Sequence, residues 1–326
     1  MTYLHRTLSI APLLLALCVA APAAGQLLED EPVTGPTTYG DAVVGRFQVG
    51  AEITASRGAC RDVQAMVAVP LECAEQQVRI VEEDFTSDVQ SVTYRDVPGG
   101  EARQMLITIP YLPAKAEARA VVTFEVSTRK VLPPEDTAAA ELVIPRRPPR
   151  DLRRYAAVSP FIEAKDRRIR KIAREQLAEL PEGATDWQRI ERLYDYVLDN
   201  IEYAEGPDTS AVHTLREGYA DCHGRSALFI ALCRSIGAPA RVVWVNHHVY
   251  AEFYLEDADG AGSWFPAESA GSRAFGEMPL ARVILQKGDN FRVPERPKDR
   301  LRYATDFVYV PPGKGKPSVR FLREQL

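Results

Sequence analysis

The 326-residue sequence predicts an α+β protein in which an antiparallel β-sandwich precedes a mixed core of helices and strands. Two patterns carry that prediction. Between about Val43 and Arg129, short β-branched runs alternate with breaks containing proline and glycine, as strands joined by turns do. Beyond residue 152, apolar residues recur first at helical spacing and then, from Arg241 to Glu268, in three short strand-like runs. Composition agrees, since 46% hydrophobic and 26% charged residues are an ordinary globular balance. Length divided by ~150 residues per domain suggests about two domains.

Taken in order, residues 1–25 read as a cleaved signal peptide. Arg6 supplies a short basic start, an apolar run extends from Leu8 to Ala21, and Ala21-Pro22-Ala23 fits the small-x-small cleavage rule, with cleavage after Ala23 or Gly25. The run is shorter than the ~20 residues a spanning helix needs, and no later stretch is longer. A lipoprotein site at Cys18 is disfavoured by the bulky Leu17 before it. The expectation is an exported chain, periplasmic or secreted, with no membrane span once mature. Residues 26–42 form a polar, flexible lead-in.

The sandwich occupies residues 43–130, with strand runs at 63–69, 78–81, 105–109 and 120–126, punctuated by Pro70, Pro98-Gly99-Gly100, and Pro110 and Pro113. Residues 131–151 are rich in proline and arginine and suit a connector. The second domain is expected over residues 152–310. Ser159 followed by Pro160 offers a cap for a helix of about five turns that continues through Ile162, Ile169, Ile172, Ala173 and Leu177. Its basic cluster between Lys165 and Arg174 is a solvated face. Asp186 caps a second helix whose apolar stripe is Trp187, Ile190, Leu193, Tyr194, Val197 and Leu198. Tyr303 to Val310 offers a last strand, and residues 311–326 read as a tail.

Charge excludes one class of partner. A net charge of −5 from 45 acidic and 40 basic residues, with no long basic run, gives no electrostatic reason to bind nucleic acid. Cysteine usage is more informative. Beyond the leader, Cys60, Cys73, Cys222 and Cys233 allow three pairings. Cys60 and Cys73 are close enough in sequence either to bridge or to remain two thiols. Cys222 and Cys233 share one helix, about 16 Å apart along its axis, too far for a disulfide, and stay reduced.

Chemistry concentrates between Leu215 and Glu268. A glycine turn at Gly218 leads into a helix that opens at Cys222 and closes at Gly237. There the positive end of the helix dipole favours a thiolate, the form that attacks carbonyl carbon. Cys233, deep in the same helix, is a core residue. A strand follows from Arg241, a second carries His247, His248, Tyr250 and Glu252, and a third runs from Ser263 through Trp264 to Glu268. The order places a nucleophile on a helix, a base on one strand and a carboxylate on the next. Cys222, His223 and His248 are also good zinc ligands, but no paired Cys-x-x-Cys or His-x-x-x-His spacing supports a metal site. No acidic loop has a calcium-ligand pattern. His213, in the preceding loop, either lines the site or is simply solvated.

These motifs resemble the transglutaminase-like superfamily: Gly218-x-x-x-Cys222, the run LCRSIGAPAR from Leu232 to Arg241, His248-x-Tyr250-x-Glu252 and Trp264-x-x-x-Glu268. The likeness is strong over residues 184–268. The later QKGDNF segment at residues 286–291 adds a likeness to an exported bacterial subgroup with an extra N-terminal β domain. The resemblance implies a papain-like fold, a Cys222 thioester with a glutamine side chain or peptide carbonyl, and its resolution by an amine or water. It implies Cys222 as nucleophile, His248 as base and Glu268 as the acid, where the family usually has aspartate. Glutamate is one methylene longer and accepts the imidazole N–H if the strand end shifts. Neighbouring strand residues point to opposite faces, so only one of His247 and His248 faces Cys222, and the spacing to Tyr250 and Glu252 selects His248. No metal or organic cofactor is required, and a protein or peptide is the expected substrate. Two rival readings stay open: a cysteine protease or amidase of the same fold, and a non-catalytic interaction protein of the cell envelope.

Overall fold

The computed structural model describes residues 36–326, so the leader at 1–25 and the first part of the lead-in lie outside the described residues. The chain begins with β1 (Thr38–Thr54), in which Phe47, Val49, Ala51 and Ile53 alternate inward, so the last residues assigned to the lead-in already belong to a strand. It continues through β2 (Cys60–Ala68), β3 (Gln76–Phe85), β4 (Ser91–Asp96), β5 (Glu101–Leu112) and β6 (Glu117–Leu132). Val63, Ala65 and Val67 of β2, Met105, Ile107 and Ile109 of β5, and Val122, Phe124 and Val126 of β6 meet the inward face of β1 in one core. Two sheets therefore face each other across interleaved apolar side chains, as alternation requires.

Helices follow. After α1 (Asp136–Glu141) and a short 3-10 turn (Arg153–Ala156) come α2 (Arg167–Ala178) and α3 (Asp186–Asn200). The expected cap at Ser159 is not the start of a helix. Its hydroxyl donates to Asp289 at 2.5 Å and accepts from Arg234 at 2.8 Å, and Phe161 takes a left-handed φ of 66°, which interrupts any helix there. Asp166 caps α2 instead, accepting from the Arg168 amide. α3 likewise starts one residue early, with Thr185 and Gln188 forming a reciprocal capping box. Asp186 is spent elsewhere, on the Ile144 amide and Arg189.

Two short parallel strands, β7 (Glu202–Tyr203) and β8 (Tyr219–Ala220), flank α4 (Ala211–Glu217) and lead into α5 (Cys222–Ser235). α5 is buried from Gly224 through Arg234 because α2, α3 and α4 pack on it from one side and the sheet from the other. β9 (Ala240–Val245), β10 (His248–Glu256), β11 (Gly262–Glu268) and β12 (Ala274–Phe275) then form an antiparallel meander.

β13 (Ile284–Lys287) lies antiparallel between β9 and β5, joining the meander to the sandwich strands in one sheet of order β12-β11-β10-β9-β13-β5-β2-β14, with β4 alongside β5. Every residue of β13 is buried. The late strand expected near Tyr303 is β14 (Phe307–Tyr309), which pairs with β2. Residues read as a tail form β15 (Ser318–Gln325), paired with β1 along Phe47 to Thr54 in the second sheet, β15-β1-β6-β3. The tail reading fails because an exposed edge of β1 is available to residues whose own sequence is largely polar.

All four described cysteines are free, so the bridge considered between Cys60 and Cys73 does not form. Among the described residues no helix is long and apolar enough to cross a membrane.

Candidate active site

α4 ends on Gly218, whose φ of 75° gives the left-handed cap that a glycine adopts without strain. Two residues of β8 then aim the chain at α5. Asp221 caps that helix by accepting from the Gly224 amide at 3.0 Å, and Cys222 is its first residue. Gly224 is required by packing. A Cβ there would lie 2.3 Å from Thr209 Oγ1, 2.5 Å from Ala220 Cβ and 2.6 Å from Thr214 Oγ1. Since the rest of α5 is enclosed, its N-terminal turn is the part that can meet a substrate, and Cys222 keeps 8% exposure.

The β9–β10 hairpin turns through Asn246 and His247, with His247 in a left-handed conformation at φ 56°. The turn, more than strand alternation, separates the two histidines: His247 is exposed while His248 opens β10 and packs toward Cys222. His248 Nε2 meets Glu268 Oε2 at 2.5 Å. That leaves Nδ1 for Cys222, whose interaction with the ring favours its charged form. Burial opposes charge on this imidazole. The hydrogen bonds to Cys222 and Glu268 and the charge of both outweigh it, and the His248 pKa is pushed up to about 9. Glu268 ends β11, and its other oxygen accepts from the Ala270 amide at 2.8 Å. Sequence order and the family resemblance together suggested these three residues, and the fold places the His248 imidazole beside Glu268 and close enough to Cys222 to be acted on by it.

Residues 170–269 match the family model described as the transglutaminase-like superfamily. Among solved structures, a candidate cysteine protease from Cytophaga hutchinsonii shares the fold at a TM-score of 0.59 and 17% identity, covering 89% of this chain and 92% of that one. The ethylmercury-bound periplasmic domain of TgpA from Pseudomonas aeruginosa matches at a TM-score of 0.31 and 14% identity, over 69% of this chain and 89% of that one. A candidate protease from Parabacteroides distasonis matches at a TM-score of 0.25 and 14% identity, over 64% of this chain and 42% of that one. No curated protein matches.

Several residues near the site do work that the sequence motifs did not reveal. The Tyr194 hydroxyl donates to the Glu268 carbonyl and accepts from the Ala274 amide at 3.1 Å, tying α3 to the end of β11. In sequence Tyr194 is one member of an apolar stripe, and a hydroxyl within such a stripe was the available signal, because a buried phenol needs a partner. Arg302 donates to the His223 carbonyl at 2.6 Å and pairs with Asp208, while the Tyr303 hydroxyl meets His223 Nδ1 at 2.6 Å. Nothing local marks either residue, since both act about 80 positions away from α5.

Glu252, part of the quoted motif, is not at the thiol. It pairs with Arg241 at 2.7 Å and Lys287 at 2.9 Å, and Lys287 also pairs with Glu75 at 2.6 Å, so the carboxylate locks β10, β9 and β13. Burial opposes charge on Lys287, yet the two carboxylates hold its pKa well above the usual range. His213 is exposed and bonded to Arg216. Among the described residues no cluster of three or more His, Cys, Asp or Glu side chains could hold a metal ion.

Proposed function

We propose that this protein is a thiol enzyme of transglutaminase-like type, acting on protein or peptide amides through a Cys222 thioester. The observation that supports the reading is a single one: the His248 imidazole is hydrogen-bonded to Glu268 through Nε2 and its charged form is favoured by Cys222 as well as by Glu268. A histidine whose pKa lies near 9 is an imidazolium at neutral pH, and an imidazolium beside sulfur is the setting in which a thiolate is the nucleophile.

The thiolate attacks the amide carbon, and the C=O electron pair moves onto oxygen. By helix geometry the amides of Cys222 and His223 have no intrahelical acceptor and face the developing oxyanion. Collapse of the tetrahedral intermediate re-forms C=O and breaks C–N, with the His248 proton passing to the departing amine. Neutral His248 then takes a proton from the incoming amine or water as it attacks the thioester, and sulfur leaves as thiolate. Glu268 fixes the ring orientation throughout and stabilises its positive form. The signal peptide expected from the sequence at residues 1–25 favours work outside the cytoplasm, with residues 43–130 as an accessory β domain.

Incubation with a glutamine-containing peptide and a labelled primary amine tests the reaction. Incorporation of label establishes transfer. Cleavage or deamidation without incorporation establishes the hydrolase instead. Failure of a thiol-reactive probe to label Cys222 ahead of buried Cys233, with no turnover, sinks both.

A further inference from the structure

His223, directly after the nucleophile, is the one half-buried polar side chain of the first turn of α5 that the mechanism leaves unused. Its Nδ1 lies 2.6 Å from the Tyr303 hydroxyl, the two rings meet edge to face at 5.3 Å, and its carbonyl is held by Arg302 at 2.6 Å. Ring and backbone are thus fixed from the same side by residues 302 and 303. Either atom of the Nδ1 contact can carry the proton, and the surroundings decide which. Among the described residues the Tyr303 hydroxyl has no other hydrogen-bond partner, so if Nδ1–H donated, a half-buried O–H would be left without a protein acceptor. Burial pushes the Tyr303 pKa far up, which keeps its proton in place, and burial lowers the His223 pKa, which keeps that ring neutral. The phenol therefore donates to Nδ1, and the imidazole proton sits on Nε2, at the far edge of the ring from Tyr303. His223 follows the nucleophile directly in the first turn of α5, so its ring stands next to the residue that bears the thiol.

We infer that His223 is a further oxyanion donor, presenting a fixed Nε2–H beside the amides of the helix start, and that Tyr303 is a positioning residue which selects this tautomer. The inference rests on the acyl-transfer reading given above. A neutral donor in this place adds a hydrogen bond in the transition state without adding a positive charge next to the His248 imidazolium. Tyr303 acts only through the ring and touches no reacting atom.

The test compares wild type with His223→Leu, His223→Gln and Tyr303→Phe in turnover of the glutamine peptide, in alkylation of Cys222 by iodoacetamide, and in 15N chemical shifts of the labelled imidazoles. In wild type the His223 proton is expected on Nε2. His223→Leu should lower kcat roughly 100-fold with KM little changed, the cost of one oxyanion donor, while alkylation, which forms no oxyanion, proceeds at the wild-type rate. His223→Gln restores an N–H donor and should recover about tenfold of that loss. Tyr303→Phe should mix the two tautomers and lower kcat about tenfold. A wild-type proton on Nδ1, parallel loss of alkylation and turnover in His223→Leu, or no recovery in His223→Gln overturns the assignment while the thioester chemistry stands. Absence of wild-type turnover, with Cys222 still alkylated, removes the acyl-transfer reading and this donor with it.

Discussion

Replacing Cys222 by serine keeps the shape of the first turn of α5 and removes the thiol, so turnover should fall at least about 1,000-fold with the unfolding midpoint unchanged. Residual activity near the wild-type level would remove Cys222 from the chemistry. The His248 environment gives a second expectation, through pH. An unfolded histidine ionises near 6.5, and in the fold this one ionises near 9, so the native state holds its proton more tightly. The resulting stabilisation is complete below about pH 6.5 and is lost as pH rises to about 9, on the order of 1–3 kcal/mol. Urea midpoints measured at pH 6 and pH 9.5 should drop less in Glu268→Gln than in wild type, and equal drops would contradict this account. At this scale the proposed nucleophile, base and acid could be singled out because each sits at the start or end of an element that sequence pattern could place. Tyr194, Arg302 and Tyr303 were not, because their partners are side chains and carbonyls brought near by folding, with no spacing rule to announce them.

α5 is the element on which the site depends, and its start tolerates little. Gly224→Ala forces a Cβ against two threonine hydroxyls and the Ala220 methyl. Overpacking of that kind costs about 1–3 kcal/mol, and the displaced first turn should also slow alkylation of Cys222. Thermal unfolding and alkylation rate, measured on the same variant, check both; a variant with wild-type stability would mean that α5 and α4 slide apart freely. The helix itself, the glycine ends at Gly218 and Gly237 and the three strands after it were readable from periodicity and turn residues. The misplaced starts of α2 and α3 have a common cause. Ser159 and Asp186 look like caps in sequence, but each is consumed by a distant group, Asp289 for the serine and the Ile144 amide for the aspartate. A capping side chain with a better tertiary partner stops being a cap.

At the scale of the molecule, the buried cluster of Lys287, Glu75, Glu252 and Arg241 joins the sandwich strands to the meander through β13. Lys287→Met leaves two buried carboxylates short of a cation and should cost roughly 3–5 kcal/mol. Trp187, Trp244 and Trp264 all lie beyond residue 152, whereas strand content spans both halves. Coincident denaturation curves by tryptophan fluorescence and far-ultraviolet circular dichroism are therefore expected for wild type, since one sheet runs through both halves. Separated curves would show that the halves unfold independently. The QKGDNF segment was visible as a likeness, but its place between β9 and β5 was not, because strand pairing across nearly two hundred residues leaves no local periodicity. The same pairings set an order on synthesis. A ribosome delivers β1, β2 and β5 early and their partners β13, β14 and β15 late, with β15 after all the others. The early strands must wait with open edges, exposed to wrong partners, and until β15 arrives β1 stays uncovered from Phe47 to Thr54.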